Sequence, residues 1–161
     1  MTVRMEVRAL IVDPIANMPV VILRDDSEEN LLPIWVGIFE ANAIALQMEG
    51  VRTPRPMTHD LLKSVIEKVE GDVVRVVINA LEENTFYAQI HLRLGEREIQ
   101  VDSRPSDAIA LALRVNAPVF VDEGVLEKSR HTDASADGSN SARLRKWLEE
   151  VDPDTLGKYR M

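Results

Sequence analysis

The chain has 161 residues, a formal net charge of -8 and no cysteine. That length holds one domain with a genuine hydrophobic core plus a tail. The missing thiols exclude disulfides, thiolate catalysis and Cys-type zinc sites, and the negative charge argues against gripping nucleic acid by phosphate neutralisation alone.

In the opening stretch MTVRMEVRALIV, Val3, Met5, Val7, Ala9 and Ile11 alternate with Arg4, Glu6 and Arg8. This is period-2 writing, a strand with one wet face at its start. It lacks the unbroken apolar run of a signal peptide, and no segment reaches transmembrane length. A soluble cytoplasmic protein without a membrane partner is expected. Asp13-Pro14 and Asn17 to Pro19 mark a turn, Val20 to Leu23 a short buried strand, and Asp25 to Asn30 a polar hairpin loop. Leu31 to Val36 reads as a third strand, which Pro33 places at an edge or a bulge.

A helix follows from about Phe39 to Glu49. Ala41, Ile44, Ala45 and Met48 form one apolar face, and Ala43 and Leu46 carry apolar character round the cylinder. After the Pro-punctuated connection Val51 to Met57, Thr58 is a good N-cap and Asp60 favours the first helical turn. Leu61, Leu62, Val65, Ile66 and Val69 then write a one-sided amphipathic helix. Asp72 to Ala80 is the next strand, Glu82-Glu83-Asn84 a turn, and Thr85 to Leu94 with Arg97 to Asp102 a hairpin about Gly95-Glu96. Ala108 to Val115 is helical and has no polar residue until Arg114, and Pro118 to Val121 is a last short strand.

Residues 1–128 therefore read as the folded domain. The stretch SRHTDASADGSNSA, residues 129–142, is small and polar without periodicity and predicts a flexible linker. Residues 143–161 predict a C-terminal helix and tail, with Leu144, Trp147, Leu148 and Val151 as its stripe.

The tetrapeptide Ala-Ile-Ala-Leu occurs in FEANAIALQMEG and again in RPSDAIALALRV. Aligning Ala43 with Ala108 superimposes the first strand on the strand at 72–80, the two hairpins, and the two all-round apolar helices. The fold class predicted is α+β, a mostly antiparallel sheet with packed helices and an internal duplication of a β-β-β-α unit. Chance recurrence of common helix formers is the competing explanation.

Two segments, RPMTHDLL and RPSDAIAL, each read Arg-Pro, then a hydroxyl N-cap (Thr58, Ser106), then an Asp in the first helical turn. Backbone N–H groups there, with Arg55 or Arg104 nearby, suit a phosphate. Asp60 and Asp107 suit Mg²⁺ or the orientation of a water. The same residues also read as plain helix stabilisers with a salt bridge. His59, beside Asp60, is a candidate general base or metal ligand, or an exposed histidine without a role. Glu40 and Asp102 sit where each would converge with the Asp pair if the duplication holds, or act as caps. No P-loop, dinucleotide fingerprint, HExxH or GxSxG motif occurs.

The segments LPIWVGIFEANAIALQMEG, RPMTHDLL, TFYAQI, VDSRPSDAIALALR and APVFV, in that order, closely resemble the bifunctional nuclease family. The resemblance spans about residues 3–128, and the tail VDPDTLGKYRM also resembles tails of bacterial members. It implies a compact α+β fold, a homo-oligomer of two or more subunits, and nuclease activity on RNA and DNA. It singles out Glu40, Arg55, Pro56, Thr58, His59, Asp60, Asp102, Arg104, Pro105, Ser106 and Asp107.

Two functions from different classes follow. The first is a metal-assisted phosphodiesterase, with Asp60 and Asp107 (with Glu40 or Asp102) holding Mg²⁺ or Mn²⁺. His59 would activate water, and Arg55 or Arg104 would stabilise transition-state charge. The second is a non-catalytic oligomeric binding or regulatory module, motivated by the two helices apolar all round.

Overall fold

The computed structural model describes residues 1–135, with side chains through His131. Seven strands and four helices follow in the order β1 (Thr2–Val12), β2 (Pro19–Arg24), β3 (Leu31–Trp35), α1 (Ile38–Met48), α2 (Thr58–Lys68), β4 (Gly71–Glu82), β5 (Thr85–Leu94), β6 (Arg97–Ser103), α3 (Pro105–Val115), β7 (Val119–Asp122) and α4 (Glu123–Ser135). The strands form one sheet in the order β3-β2-β1-β7-β4-β5-β6. Every neighbouring pair is antiparallel except β4 with β7. The expected α+β class with a mostly antiparallel sheet is what the chain adopts.

Local chemistry accounts for the turns. Glu83 and Asn84, both at positive φ, form the two-residue loop between β4 and β5 that a type I′ turn requires. Gly95 takes φ +62 in the two-residue loop between β5 and β6, a conformation glycine enters without a Cβ penalty. Pro33 sits in β3, the edge strand of the sheet, where the missing N–H costs no ladder bond on the open side.

β1 joins the two halves of the sheet. Its first residues, Thr2 to Met5, pair with β7, and its later ones pair with β2 across a register shift between Val7 and Ala9. The order β-β-β-α does occur twice, as β1-β2-β3-α1 and β4-β5-β6-α3, on opposite flanks of β7.

The main core lies on one face, where Met5, Val21, Leu23, Val76, Ile78, Ala88, Ile90 and Val121 meet the helices. A smaller cluster of Ala9, Ile11, Val20 and Ile22 lies apart, with Leu31 and Trp35 packed against it. α3 is central: Ala108 to Ala112 are all buried. The small side chains of Ala41, Ala43, Ala108 and Ala110 let α1 and α3 pack closely. The all-round apolar reading therefore holds for α3, whereas α1 leaves Ile38 and Phe39 exposed.

Two expectations differ from the structure. Thr58 and Ser106 are not N-caps: Met57 and Arg104 hold those positions with extended backbones. The capping is done instead by Asp60, whose Oδ2 accepts the Met57 N–H at 2.9 Å, and Pro105 needs no N–H partner in the first turn of α3. α2 is the expected amphipathic helix, and of its five apolar members only Ile66 is buried. The flexible linker does not begin at Ser129, because α4 runs through Ser135. Val125 and Leu126 anchor α4 in the core and Lys128 Nζ donates to Leu81 O at 3.3 Å, so packing outweighs the polar local composition. The rest of the expected linker and the C-terminal helix at 143–161 lie outside the described residues.

Candidate active site

The starts of α1, α2 and α3 meet through side-chain contacts. Glu40, Asp60 and Asp107 each occupy the third residue of their helix, after the cap residues Gly37, Met57 and Arg104. A carboxylate there is favoured by the partial positive charge of the free backbone N–H groups. These three acids are therefore placed by local helix chemistry, and tertiary packing brings Glu40 and Asp107 onto one arginine and Asp60 onto another.

Arg104 is the hub. Its Nε donates to Asp107 Oδ2 and its Nη2 to Glu40 Oε1, each at 2.8 Å. His59 Nε2 lies 2.9 Å from the other oxygen, Asp107 Oδ1. The result is a continuous chain Glu40–Arg104–Asp107–His59 drawn from the starts of α1, α3 and α2. Gly37 belongs to it by its lack of a side chain, since a Cβ there would collide with Glu40 Oε2. The Arg104 side chain is 65% exposed, whereas those of Glu40 and Asp107 are 17% and 28% exposed. The cation thus faces solvent over two sheltered anions. A guanidinium has five N–H donors, and among the described residues two of them are engaged.

Electrostatics follow the geometry. Burial opposes charge on Asp107, yet hydrogen bonds from Arg104 and His59 outweigh it and hold its pKa below the ordinary 3.8. The bonds to Asp107 and Glu40 raise the pKa of Arg104, the one to Asp107 contributing most. The neutral His59 ring must carry its proton on Nε2 to serve Asp107, because a carboxylate only accepts. Nδ1 is then the basic nitrogen.

Asp60 stands beside this chain. Its pKa is lowered first by the Met57 N–H and then by Arg114, whose Nε donates to Asp60 Oδ1 at 2.7 Å. Arg114 was visible in the sequence only as the first polar residue of an apolar helix. Its side chain is 4% exposed, and it also donates to Ala110 O at 2.8 Å and to Ala43 O at 3.0 Å. A charged residue closing an otherwise apolar helix was the available signal for this buried pair.

The depressed carboxylates give a pH prediction. A group whose folded pKa lies below its unfolded value stabilises the fold above the unfolded value and loses that contribution as pH falls through the folded one. Unfolding free energy is therefore expected to fall below pH 3.8. Asp107→Asn and Asp60→Asn should each flatten that acid limb in denaturant titrations, and an unchanged limb would show that neither group carries it.

Asp102 is not part of the site. On β6 it pairs with Gln89, and the neighbouring Ser103 pairs with the buried core residue Ala88. Strand alternation therefore turns Asp102 to the face opposite the helices. Arg55 is exposed and makes no bond to Arg104, Asp107 or His59; it lines a separate cleft with Asp60. Among the described residues, no three His, Asp or Glu side chains converge as a metal set. Glu40 and Asp107 are both turned onto Arg104, and Asp60 onto Arg114, so the donor set does not fit a resident divalent ion.

The family model of the bifunctional nuclease domain matches residues 21–134, a span that contains all of this chain of contacts. The chain belongs to the bifunctional nuclease domain family. An uncharacterized protein of Mycobacterium tuberculosis (strain CDC 1551 / Oshkosh) is 38% identical over 147 residues, covering 86% of this chain and 88% of that one. Bifunctional nuclease 2 of Oryza sativa subsp. japonica is 33% identical over 110 residues, 66% of this chain and 34% of its own length. Bifunctional nuclease 1 of Oryza sativa subsp. indica is 29% identical over 117 residues, 70% of this chain and 35% of its own. The chain spans about a third of these plant relatives. Among the described residues, no helix is long and apolar enough to cross a membrane.

Proposed function

We propose that this chain is a nuclease that hydrolyses phosphodiester bonds of RNA and DNA in the cytoplasm at the Glu40–Arg104–Asp107–His59 chain. The observation that carries the reading is the exposed Arg104 guanidinium held by two sheltered carboxylates, with His59 bonded to one of them. The free N–H donors of Arg104 would take the non-bridging phosphate oxygens, and stabilise the charge that grows on them as water adds to phosphorus. His59 Nδ1 would take the proton of that water. The ester P–O bond then breaks, and the leaving oxygen takes a proton from solvent. Asp107 holds the imidazole in the required tautomer and favours the imidazolium that forms.

Mg²⁺ or Mn²⁺ would enter this site only by displacing Arg104 from Glu40 and Asp107, and no step above uses an ion. The test is cleavage of single-stranded RNA and DNA by highly purified protein with Mg²⁺, with Mn²⁺ and with EDTA. His59→Gln and Asp107→Asn, purified identically, are each expected to lose about 10²–10⁴-fold in turnover. Cutting that survives both substitutions undiminished would point to a contaminant or another site.

The second reading is a non-catalytic oligomeric module, and one observation favours its oligomeric half. Leu61, Val65 and Val69 follow one another at four-residue spacing on α2 and are 57%, 52% and 62% exposed. Met57 continues the ridge, opposite the buried His59 and Ile66. Such an i±4 ridge packs into its own copy across a twofold axis, and lone monomers seldom leave a patch of this kind bare. Light scattering is expected to give a homo-oligomer that Leu61→Lys/Val65→Lys converts to a folded monomer. A monomer at all concentrations in the unaltered protein would remove this reading.

A further inference from the structure

We infer that the cleft between the end of α1 and the start of α2 is a second anion site, which holds a backbone phosphate of a bound nucleic-acid strand. The identity of the strand rests on the nuclease reading; the affinity for phosphate does not. The cleft has a volume of about 290 Å³ and is lined by Arg52, Thr53, Arg55, Asp60, Ser64 and Arg114, among others. Three arginines against one aspartate leave it positive within a chain of net charge -8.

The charges are not equivalent. Arg114 and Asp60 satisfy each other at 2.7 Å, and the second Asp60 oxygen is taken by Met57 N–H. They form a neutral floor. Arg52 and Arg55 make no ion pair with any carboxylate among the described residues. Their guanidiniums remain for a ligand, and phosphate matches the guanidinium fork in shape and charge.

The loop that carries them is held in place. Val51 N–H donates to Leu46 O at 2.9 Å, and Thr53 Oγ1 donates to Arg55 O at 2.7 Å. Pro54 and Pro56 fix φ on either side of Arg55. Less freedom is then lost when a ligand binds. The cleft also adjoins the first site through consecutive residues: Asp60 lines it, while His59 reaches Asp107. A strand with one phosphate at Arg104 would pass the cleft with another.

The test uses two probes on the full chain. Tripolyphosphate is titrated by calorimetry in an Arg104→Ala background, which takes away the first phosphate site, and a labelled single-stranded oligonucleotide is followed by anisotropy across a salt series in a His59→Gln background, which prevents turnover. Arg52→Ala/Arg55→Ala is expected to abolish tripolyphosphate heat and lower the slope of log affinity against log salt by roughly 0.7, one phosphate contact on a single strand. Arg52→Lys/Arg55→Lys should keep most of the slope, and Lys68→Ala, which removes an exposed charge elsewhere on α2, should keep all of it. Tripolyphosphate binding lost in the alanine variant, with no oligonucleotide bound by any protein, would keep the anion site and remove the nuclease reading. No tripolyphosphate heat with Arg52 and Arg55 in place, an unchanged slope in the alanine variant, or an equal drop in Lys68→Ala would each overturn the site.

Discussion

Arg104→Ala is expected to lower phosphodiester turnover by about 10²–10³-fold, the cost of removing one charge-stabilising donor group, with little change in melting temperature. The two effects separate because of exposure. The Arg104 side chain is 65% exposed, so its ion pairs are screened by water and contribute roughly 0–1 kcal/mol to stability. The role proposed for it in chemistry does not depend on burial in that way, because three of its five N–H donors are unengaged among the described residues. Arg104→Lys should not restore activity: an ammonium cannot reach Glu40 and Asp107 through separate edges and still present a fork to the substrate. The check is kcat on a short single-stranded substrate beside a thermal melt. Full activity in Arg104→Ala would remove the hub from the mechanism, and a large fall in melting temperature would recast it as a structural strut.

Arg114→Met is expected to behave in the opposite way and destabilise the fold by about 3–5 kcal/mol, the range for breaking a buried ion pair from one side. For a chain of this size that is a drop of roughly 6–20 °C in melting temperature. The guanidinium supplies three bonds at once, to Asp60 Oδ1, Ala110 O and Ala43 O. Its loss leaves a carboxylate without its cation, one carbonyl contact within α3 and one between α3 and α1 unmade. The Asp60 side chain is 36% exposed, so solvent relieves part of its charge and the lower end of the range is expected. Adding Asp60→Asn to Arg114→Met should cost less than the sum of the single changes, since the two groups share one interaction. Strict additivity would show that Arg114 acts through the carbonyls alone. The pairing also explains why Asp60→Asn is a poor probe of catalysis: it disturbs the α2–α3 junction before it reaches any chemistry.

Much of the fold was legible because it is set by neighbours along the chain. Period-2 alternation marks β1, Pro33 marks the edge strand, and Gly95 marks the β5–β6 turn. The acids at the helix starts were legible too, since Glu40, Asp60 and Asp107 answer a local dipole. The N-cap assignments failed within that same local chemistry. Thr58 and Ser106 are good cappers, but each competes with a carboxylate or a proline one or two residues away, and small shifts at a helix end change which residue sits at the cap.

What each acid does was decided only in three dimensions. Arg104 and Glu40 are 64 residues apart, Arg114 and Asp60 54, and His59 and Asp107 48. No local preference encodes those pairs; they exist because α3 packs against both α1 and α2. Asp102 and Asp107 are five residues apart in sequence, yet strand parity turns one to the face opposite the described helices and helix packing sends the other to the hub. The same packing leaves the α2 ridge bare, although its hydrophobic pattern alone reads as a core face. By itself the sequence determined which residues carry charge at helix starts and which segments alternate or coil, because those are short-range matters of dihedral preference and periodicity. Only the tertiary structure decided which charges meet and which apolar face stays exposed, because such contacts are set by sheet order and helix packing across tens of residues.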